Sequence, residues 1–265
     1  MTRMRPDGIV TIATDFGVQD AYAGAVKGIL LRINPRLRIV DITHQIPSFD
    51  ILEGAFNLNF YYRFFPRGTI HLLVVDPGVG GKRKGILIKS DDFFFVGPDN
   101  GVFSFVYDRE NIREIRNLTN PAYFLQRVSP TFHARDIFAP VCAYLSLGVE
   151  PKEFGTSAEV CYKFKFPEPV CGKDRLRGEI IHIDRFGNLI SNISSDLLKD
   201  EKIRIKVGRR TIKGLGGFYA EAKKRELIAL IGSSNYLEIS VSQGSARKLL
   251  KARAGGKITV EKIKK

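Results

Sequence analysis

Residues 8–76 repeat one pattern: an apolar run of strand length, an amphipathic run of helix length, then another apolar run. GIVTIAT (8–14) is apolar at both alternating positions, as a strand covered on both faces requires. DAYAGAVKGILLRIN (20–34) has helical apolar spacing, opens on Asp20 and is followed by Pro35. RLRIVDI (36–42) reads as a second strand, DILEGAFNLNFYYRFF (50–65) as a second helix stopped by Pro66, and TIHLLVVD (69–76) as a third strand. Strands joined through helices pair in parallel, because the chain must cross back over the sheet before re-entering it. The first half is therefore expected to be α/β, a mostly parallel sheet flanked by helices.

GILIKS (85–90) and FFFVGP (93–98), on either side of Asp91-Asp92, read as a hairpin or as edge strands. ARDIFAPVCAYLSLG (134–148) reads as a helix, with Pro140 kinking it or marking its early turns. The texture changes over YKFKFPEPVCGKDRL (162–176), which is polar, Pro-containing and without period. Short strand patterns follow (GEIIHID, NLISNIS, KIRIKVG, RTIKGL, ELIALIG, YLEISVS, KITVEKI), separated by Gly and charged turns as in a small barrel or sandwich. The expected organisation is an N-terminal α/β domain over 1–165 and a smaller C-terminal β-barrel-like domain over 175–265.

At 44% hydrophobic and 26% charged residues, the composition is that of a soluble globular protein. No apolar run reaches bilayer length, and MTRMRPDGIV has no signal-peptide core, so a cytoplasmic location is expected. Cys142, Cys161 and Cys171 fall in no metal-ligand or CxxC spacing and are expected to be buried, reduced thiols. The net charge of +14 is spread along the chain and interleaved with acids, the C-terminal ARKLLKARAGGKITVEKIKK being the main exception. It is read as solvated surface, not as a nucleic-acid site; Lys/Glu density with no Trp also fits a heat-adapted protein.

Chemistry is expected beyond the carboxyl ends of the parallel strands. Strand one runs into Thr14-Asp15-Phe16-Gly17, strand two into Asp41-Ile42-Thr43-His44, and strand three into Asp76-Pro77-Gly78 and on to Arg83. Three acids thus end three strands on one rim, able to accept from a ribose diol or orient a water, unless they only form turns or caps. The PGVGGKR loop matches neither GxxxxGK[ST] nor a GxGxxG helix start. Of the four histidines, His71 lies inside an apolar strand and reads as core, and His182 within IIHID reads similarly. His133 of TFHARD stands at a helix start beside Arg135 and Asp136, where spacing leaves a functional and a capping role equally open.

The series TDFGVQDAYAGAVKG, IVDITHQIPSFDILEGAF, FPRGTIHLLVVDPGVGGKR, FVGPDNGVFS, FHARDIFAP and IDRFGNLISNI resembles the S-adenosylmethionine hydroxide adenosyltransferase family, relatives of the fluorinases and chlorinases. The matching segments run in order from about residue 9 to 245. The resemblance implies hydrolysis of S-adenosyl-L-methionine to adenosine and methionine, with water as nucleophile and no metal or cofactor. It implies a homotrimer whose active sites lie between the N-terminal domain of one subunit and the C-terminal domain of the next.

Carried over by motif, the hydrolytic triad falls on Asp76, Arg83 and His133, a set that the halogenating relatives lack. Asp15 would hold the ribose hydroxyls and Phe49 would pack on the nucleoside. On the IDRFGN segment, Asp184, Phe186 and Asn188 would face the methionine amine and the adenine, and Ser233 with Tyr236 would complete that wall. Asn235 stands where the family commonly has glycine, and Ser191 where it commonly has threonine. The rival readings are an S-adenosylmethionine- or adenosine-binding regulator with negligible turnover, a halogenase, and a basic RNA-binding protein. The triad speaks against the first two; the third predicts exposed stacking aromatics of which the barrel segments show few.

Overall fold

The computed structural model describes residues 4–159, 161–198 and 202–263. Packing divides the chain into two compact units, Met1–Lys165 and Phe166–Lys265.

Unit 1 runs β1 (Ile9–Thr14), α1 (Tyr22–Ile33), β2 (Arg38–Thr43), α2 (Ile51–Tyr61), β3 (Ile70–Val74), β4 (Gly85–Ser90), β5 (Phe94–Pro98), α3 (Ser104–Arg109), β6 (Ile112–Asn117), a π-helical turn Ala134–Phe138 and α4 (Ala139–Ser146). Among the described residues its strands form one sheet in the order β2-β1-β3-β5-β4-β6. The first three and β5 are mutually parallel, and β4 runs antiparallel to both β5 and β6. Apolar residues at both alternating positions now have their reason. Val10, Ile12, Ile70 and Leu72 face a core shared with α1 and α4, whereas Ala13, Leu73 and Phe95 face a second core beneath α2. At the start of α2 the Asp50 carboxylate accepts from the Glu53 N–H at 2.9 Å, an N-cap contributing about 1 kcal/mol.

Three expectations need correcting. β4 and β5 do form a hairpin, but they lie inside the sheet; the edge beyond them is β6. The β6 segment IREIRN alternates charged and apolar residues, as an edge strand should, and carries too little apolar signal to stand out. Asp41 does not end its strand. It lies within β2, half-exposed, with Lys27 at 2.8 Å and His44 at 3.1 Å. The 134–148 helix is in fact a π-helical turn running directly into α4, with Pro140 early in α4; the Asp136 carbonyl, four residues before this proline, accepts instead from the Leu125 N–H at 2.9 Å.

Unit 2 comprises β7 (Val170–Cys171), β8 (Arg175–Ile183), β9 (Leu189–Ser194), β10 (Ile203–Val207), β11 (Arg210–Lys213), β12 (Leu227–Ile231), β13 (Tyr236–Val241), α5 (Ala246–Leu250) and β14 (Lys257–Lys262). The antiparallel order is β11-β10-β14-β8-β9-β13-β12, with β7 paired to β8. The first part of β8 pairs with β14 and its end with β9, so one bent strand serves two faces. The Gly216 N–H donates to the Ala229 carbonyl at 2.8 Å, drawing the two sheet ends into a nearly closed barrel around Leu189, Ile205, Leu237 and Ile258. Burial of the thiols holds fully only for Cys142. Cys161 is half-buried, and Cys171, on the short outer strand β7, is exposed. Among the described residues, no helix is long and apolar enough to cross a membrane.

Candidate functional site

β3 ends at Val74, and the chain leaves the sheet through Val75 into Asp76. The Asn100 side-chain amide holds that exit, donating to the Val75 carbonyl at 2.8 Å. The loop then turns tightly on itself, with Val79 N–H on the Asp76 carbonyl and Gly81 N–H on the Gly78 carbonyl, and returns Arg83 to Asp76. Arg83 grips that carboxylate with both arms of its fork, Nε to Oδ1 at 2.8 Å and Nη2 to Oδ2. The same Nη2 donates to Nδ1 of His133 at 2.9 Å. The Arg83 guanidinium also lies 5.4 Å from the centroid of the buried Phe138 ring. Three residues separated by 7 and 50 positions thus share one bonded cluster.

The pair is largely withdrawn from water, with 6% of the Asp76 side chain and 11% of the Arg83 side chain exposed. Removing either partner of such a pair leaves an uncompensated charge and costs about 3–5 kcal/mol. Arginine offers only N–H donors, so Nδ1 of His133 accepts and the proton of the neutral ring sits on Nε2. Burial and the Arg83 charge hold the His133 imidazole below its ordinary range, against the opposing pull of the Asp76 and Asp136 carboxylates. Neutral His133 with an outward Nε2–H is therefore the resting form at neutral pH.

Asp15 follows β1 directly and accepts from the Phe49 N–H at 2.9 Å. Phe49 has φ +68° and is 71% exposed. A bulky residue in the left-handed region costs about 1–2 kcal/mol, and such strain concentrates at ligand sites. Asp15, Phe49, Asp76 and His133 line one cavity of about 370 Å³, closed on another side by Phe16, Tyr22 and Phe132. These three rings meet edge to face, with centroids 5.3–6.0 Å apart. Sequence reasoning missed them, and also Asn100; the adjacency of Phe132 to His133 was the signal available. The third rim acid, Asp41, is outside this cavity, tied to Lys27 and His44.

In unit 2 the β8–β9 hairpin turn carries Asp184, Phe186 and Asn188. Asn188 donates to Asp184 twice, from its backbone N–H and from its side-chain amide, both at 2.8 Å. Phe186 at the turn is 78% exposed. Ser233 is exposed on the tight turn between β12 and β13, and Tyr236 opens β13 half-buried. Asn235 in that turn has φ +65°, the left-handed conformation for which glycine is usual and which asparagine tolerates. Ser191 is fully buried and donates to the Leu237 carbonyl at 2.8 Å, a bond that a threonine hydroxyl would also make. A cavity of about 350 Å³ in this unit lies instead around Leu176, Leu197, Ile203 and Val260 and includes none of Asp184, Phe186, Asn188, Ser233 and Tyr236. Among the described residues, no three of His, Cys, Asp and Glu are grouped as metal ligands.

A bonded acid, arginine and histidine beyond the carboxyl edge of a parallel sheet, in a chain with a small antiparallel barrel, define an α/β protein equipped for acid–base chemistry on a small ligand. The SAM hydroxide adenosyltransferase N-terminal domain profile matches residues 10–155 and the C-terminal domain profile residues 178–259, so the chain belongs to that family. It is 36% identical to the (R)-S-adenosyl-L-methionine hydrolase of Methanocaldococcus jannaschii, over 93% of this chain and 94% of that protein. A fluorinase of Nocardia brasiliensis is 26% identical over 96% of each chain. Among solved structures, an uncharacterized conserved protein from Thermotoga maritima matches with a TM-score of 0.90 and 35% identity, over 96% of this chain and 100% of that one.

Proposed function

We propose that the protein hydrolyses S-adenosyl-L-methionine to adenosine and L-methionine, by in-line attack of water on the ribose C5′. The observation that carries this reading is that Asp76 and His133 line the same cavity as Asp15 and are both bonded to Arg83. The names of the hydrolase relatives add a detail: they specify the (R) configuration at sulfur. The substrate assigned here is accordingly that epimer.

A sulfonium leaves as a neutral thioether, so departure needs neither a metal nor an acid. The demand falls on the nucleophile, which must sit about 3–3.5 Å behind C5′ and opposite sulfur. In this reading the water donates to Asp76, whose oxygens keep free acceptor sites beside Arg83, and accepts from Nε2–H of His133. As the C5′–O bond forms, the C5′–S bond breaks with its electron pair on sulfur, and the surplus proton passes to Asp76 and on to solvent. Arg83 keeps the Asp76 carboxylate aimed through its two-armed grip. Asp15 receives the ribose diol, and Phe49 the face of the nucleoside. Asp184, Phe186, Asn188, Ser233 and Tyr236 are assigned to the methionine and adenine end, supplied in a homotrimer by the neighbouring subunit. The high exposure of both Phe49 and Phe186 supports surfaces that are covered on assembly.

Inversion at C5′ is indifferent to the configuration at sulfur, so selection between epimers must come from contacts to the methyl and aminobutyrate groups. Incubating the purified protein with each separated epimer and resolving the products chromatographically tests the assignment. Adenosine and methionine from the (R) epimer, at least about tenfold faster than from the (S) epimer, are expected, a factor worth about 1.4 kcal/mol. Tight binding of either epimer without adenosine over hours would instead establish a binding protein.

A further inference from the structure

Asp136 lies three residues beyond His133 and is fully buried. Its carboxylate accepts from the Ser129 N–H at 2.7 Å and from both arms of the Arg135 fork, Nε at 2.6 Å and Nη2 at 3.0 Å. Its carbonyl accepts from the Leu125 N–H at 2.9 Å. One residue thereby fastens two points of the 125–132 loop, which delivers Phe132 and His133 to the cavity. The same loop presses on the other half of the cluster. Gly80, in the turn that carries Arg83, has φ +75°, and a Cβ there would lie 2.1 Å from the Pro130 carbonyl oxygen. Asp136 sits within the π-helical turn Ala134–Phe138, a wide turn of the kind that re-aims side chains at functional sites. Arg135 completes the arrangement, its guanidinium 4.9 Å from the Phe132 ring centroid.

We infer that Asp136 is a positioning residue for the reaction: clamped between Ser129 and Arg135, its carboxylate sets the distance of His133 from Arg83 and so aligns the water site. This inference rests on the reading of Asp76, Arg83 and His133 as the hydrolytic centre. A fully buried carboxylate is costly, and a loop of this length could be closed by apolar packing alone, so stability is not what the charge supplies best. A charge fixed close behind His133 acts instead on the ring itself. The groups facing His133 are Arg83 and Asp76 from the loop after β3, Asp136 from the π-helical turn, and Asp15 across the cavity. Of these, Asp76 and Asp136 favour the protonated ring, and Arg83 opposes it.

The test combines turnover with an NMR titration of the His133 ring, assigned by comparison with the His133→Gln spectrum. Asp136→Asn keeps an oxygen for the Ser129 N–H and removes the charge. Turnover is expected to fall by about thirtyfold to a hundredfold, with KM changed by no more than about threefold, the scale of an active-site displacement of order 1 Å. The His133 midpoint should move further below its wild-type value, because one favourable carboxylate is gone. A purely structural role predicts the opposite sign: a loosened loop would hydrate the ring and raise its midpoint toward the ordinary value. Unchanged turnover, or an unmoved or raised midpoint, would overturn the inference. Should Asp136→Asn fail to fold, Arg135→Met and Arg135→Lys carry the test from the half-exposed side. About a tenfold loss of turnover in the first and near-recovery in the second are expected, and wild-type turnover in Arg135→Met would overturn the clamp. If the wild-type protein releases no adenosine, the hydrolytic reading fails, and the sign of the His133 shift still decides the clamp.

Discussion

The two units hold their candidate residues in opposite ways. In unit 1, Asp76 and His133 line a cavity and both bond to Arg83 behind them, with the ion pair largely withdrawn from water. In unit 2, the assigned residues stand on turns, apart from Tyr236 at the start of β13; Asp184 and Asn188 satisfy each other, and Phe186 projects into solvent. The first arrangement is preorganised for charge that develops at a fixed point, because its donors need not reorient when the reaction occurs. The second suits recognition, where an exposed ring gains from being covered and a turn can adapt. Chemistry should thus be sensitive to substitution in unit 1 through turnover, and in unit 2 through affinity.

The largest effect is expected from Asp76→Asn, which keeps the shape but removes the proposed acceptor of the water's proton. Turnover should drop by about a thousandfold or more, read as adenosine released per unit time. A similar loss from substitutions on the unit 2 turns would break the division of labour.

The units should also differ in acid. His71 is wholly buried among Tyr61, Tyr62, Phe93 and Phe95, its Nδ1 bonded to Thr11 at 2.8 Å, and burial lowers its pKa to about 3. Its folded value lies below the unfolded one, so the neutral ring's contribution is complete above pH 6.5 and is lost as pH falls toward 3. At pH 4 the deficit from this one group is about 3 kcal/mol, from 1.36 kcal/mol for each pH unit below 6.5. Urea melts at pH 7 and pH 4 followed by hydrogen exchange should show unit 1 opening first; coincident loss of both units would contradict the contrast.

A smaller effect, about a hundredfold in turnover, is expected for His133→Gln. Wild-type activity should fall as pH drops through the lowered His133 pKa, since a second ring N–H would then face Arg83. The variant should lack that acid limb, and a retained limb would assign it to another group. Smallest is Asp184→Ala, for which KM should rise by about tenfold and turnover by contrast stay within about threefold, measured by steady-state kinetics. The reverse pattern would move Asp184 into the chemical step.

Most of unit 1 was legible because a doubly covered parallel strand has an unmistakable apolar run, and β1 and β3 show it. β6 and α3 were not: IREIRN spends its alternate positions on charge at the sheet edge, and SFVYDR is too short for a helical period to register. Asp15, Asp76 and Arg83 could be found from strand ends, but Asp41 could not be excluded that way. A one- or two-residue difference in where β2 stops decides whether its acid reaches the cavity or pairs with Lys27. His133 was already set apart from His71 by its place at a helix start, but only its bond to Arg83 across 50 residues distinguishes a site residue from a helix-start cap. The roles of Asp136 and Asn100 were illegible in the sequence, since each acts by fixing backbone far along the chain or across a turn.

The most direct test of the account is to run the reaction in ¹⁸O-labelled water with the (R) epimer of S-adenosyl-L-methionine and to weigh the adenosine by mass spectrometry. The account predicts one ¹⁸O, located on the 5′-hydroxyl, with methionine unlabelled and both products missing in Asp76→Asn. Adenosine without the label, or the label on methionine, would contradict attack of water at C5′ and with it the role given to the Asp76–Arg83–His133 cluster.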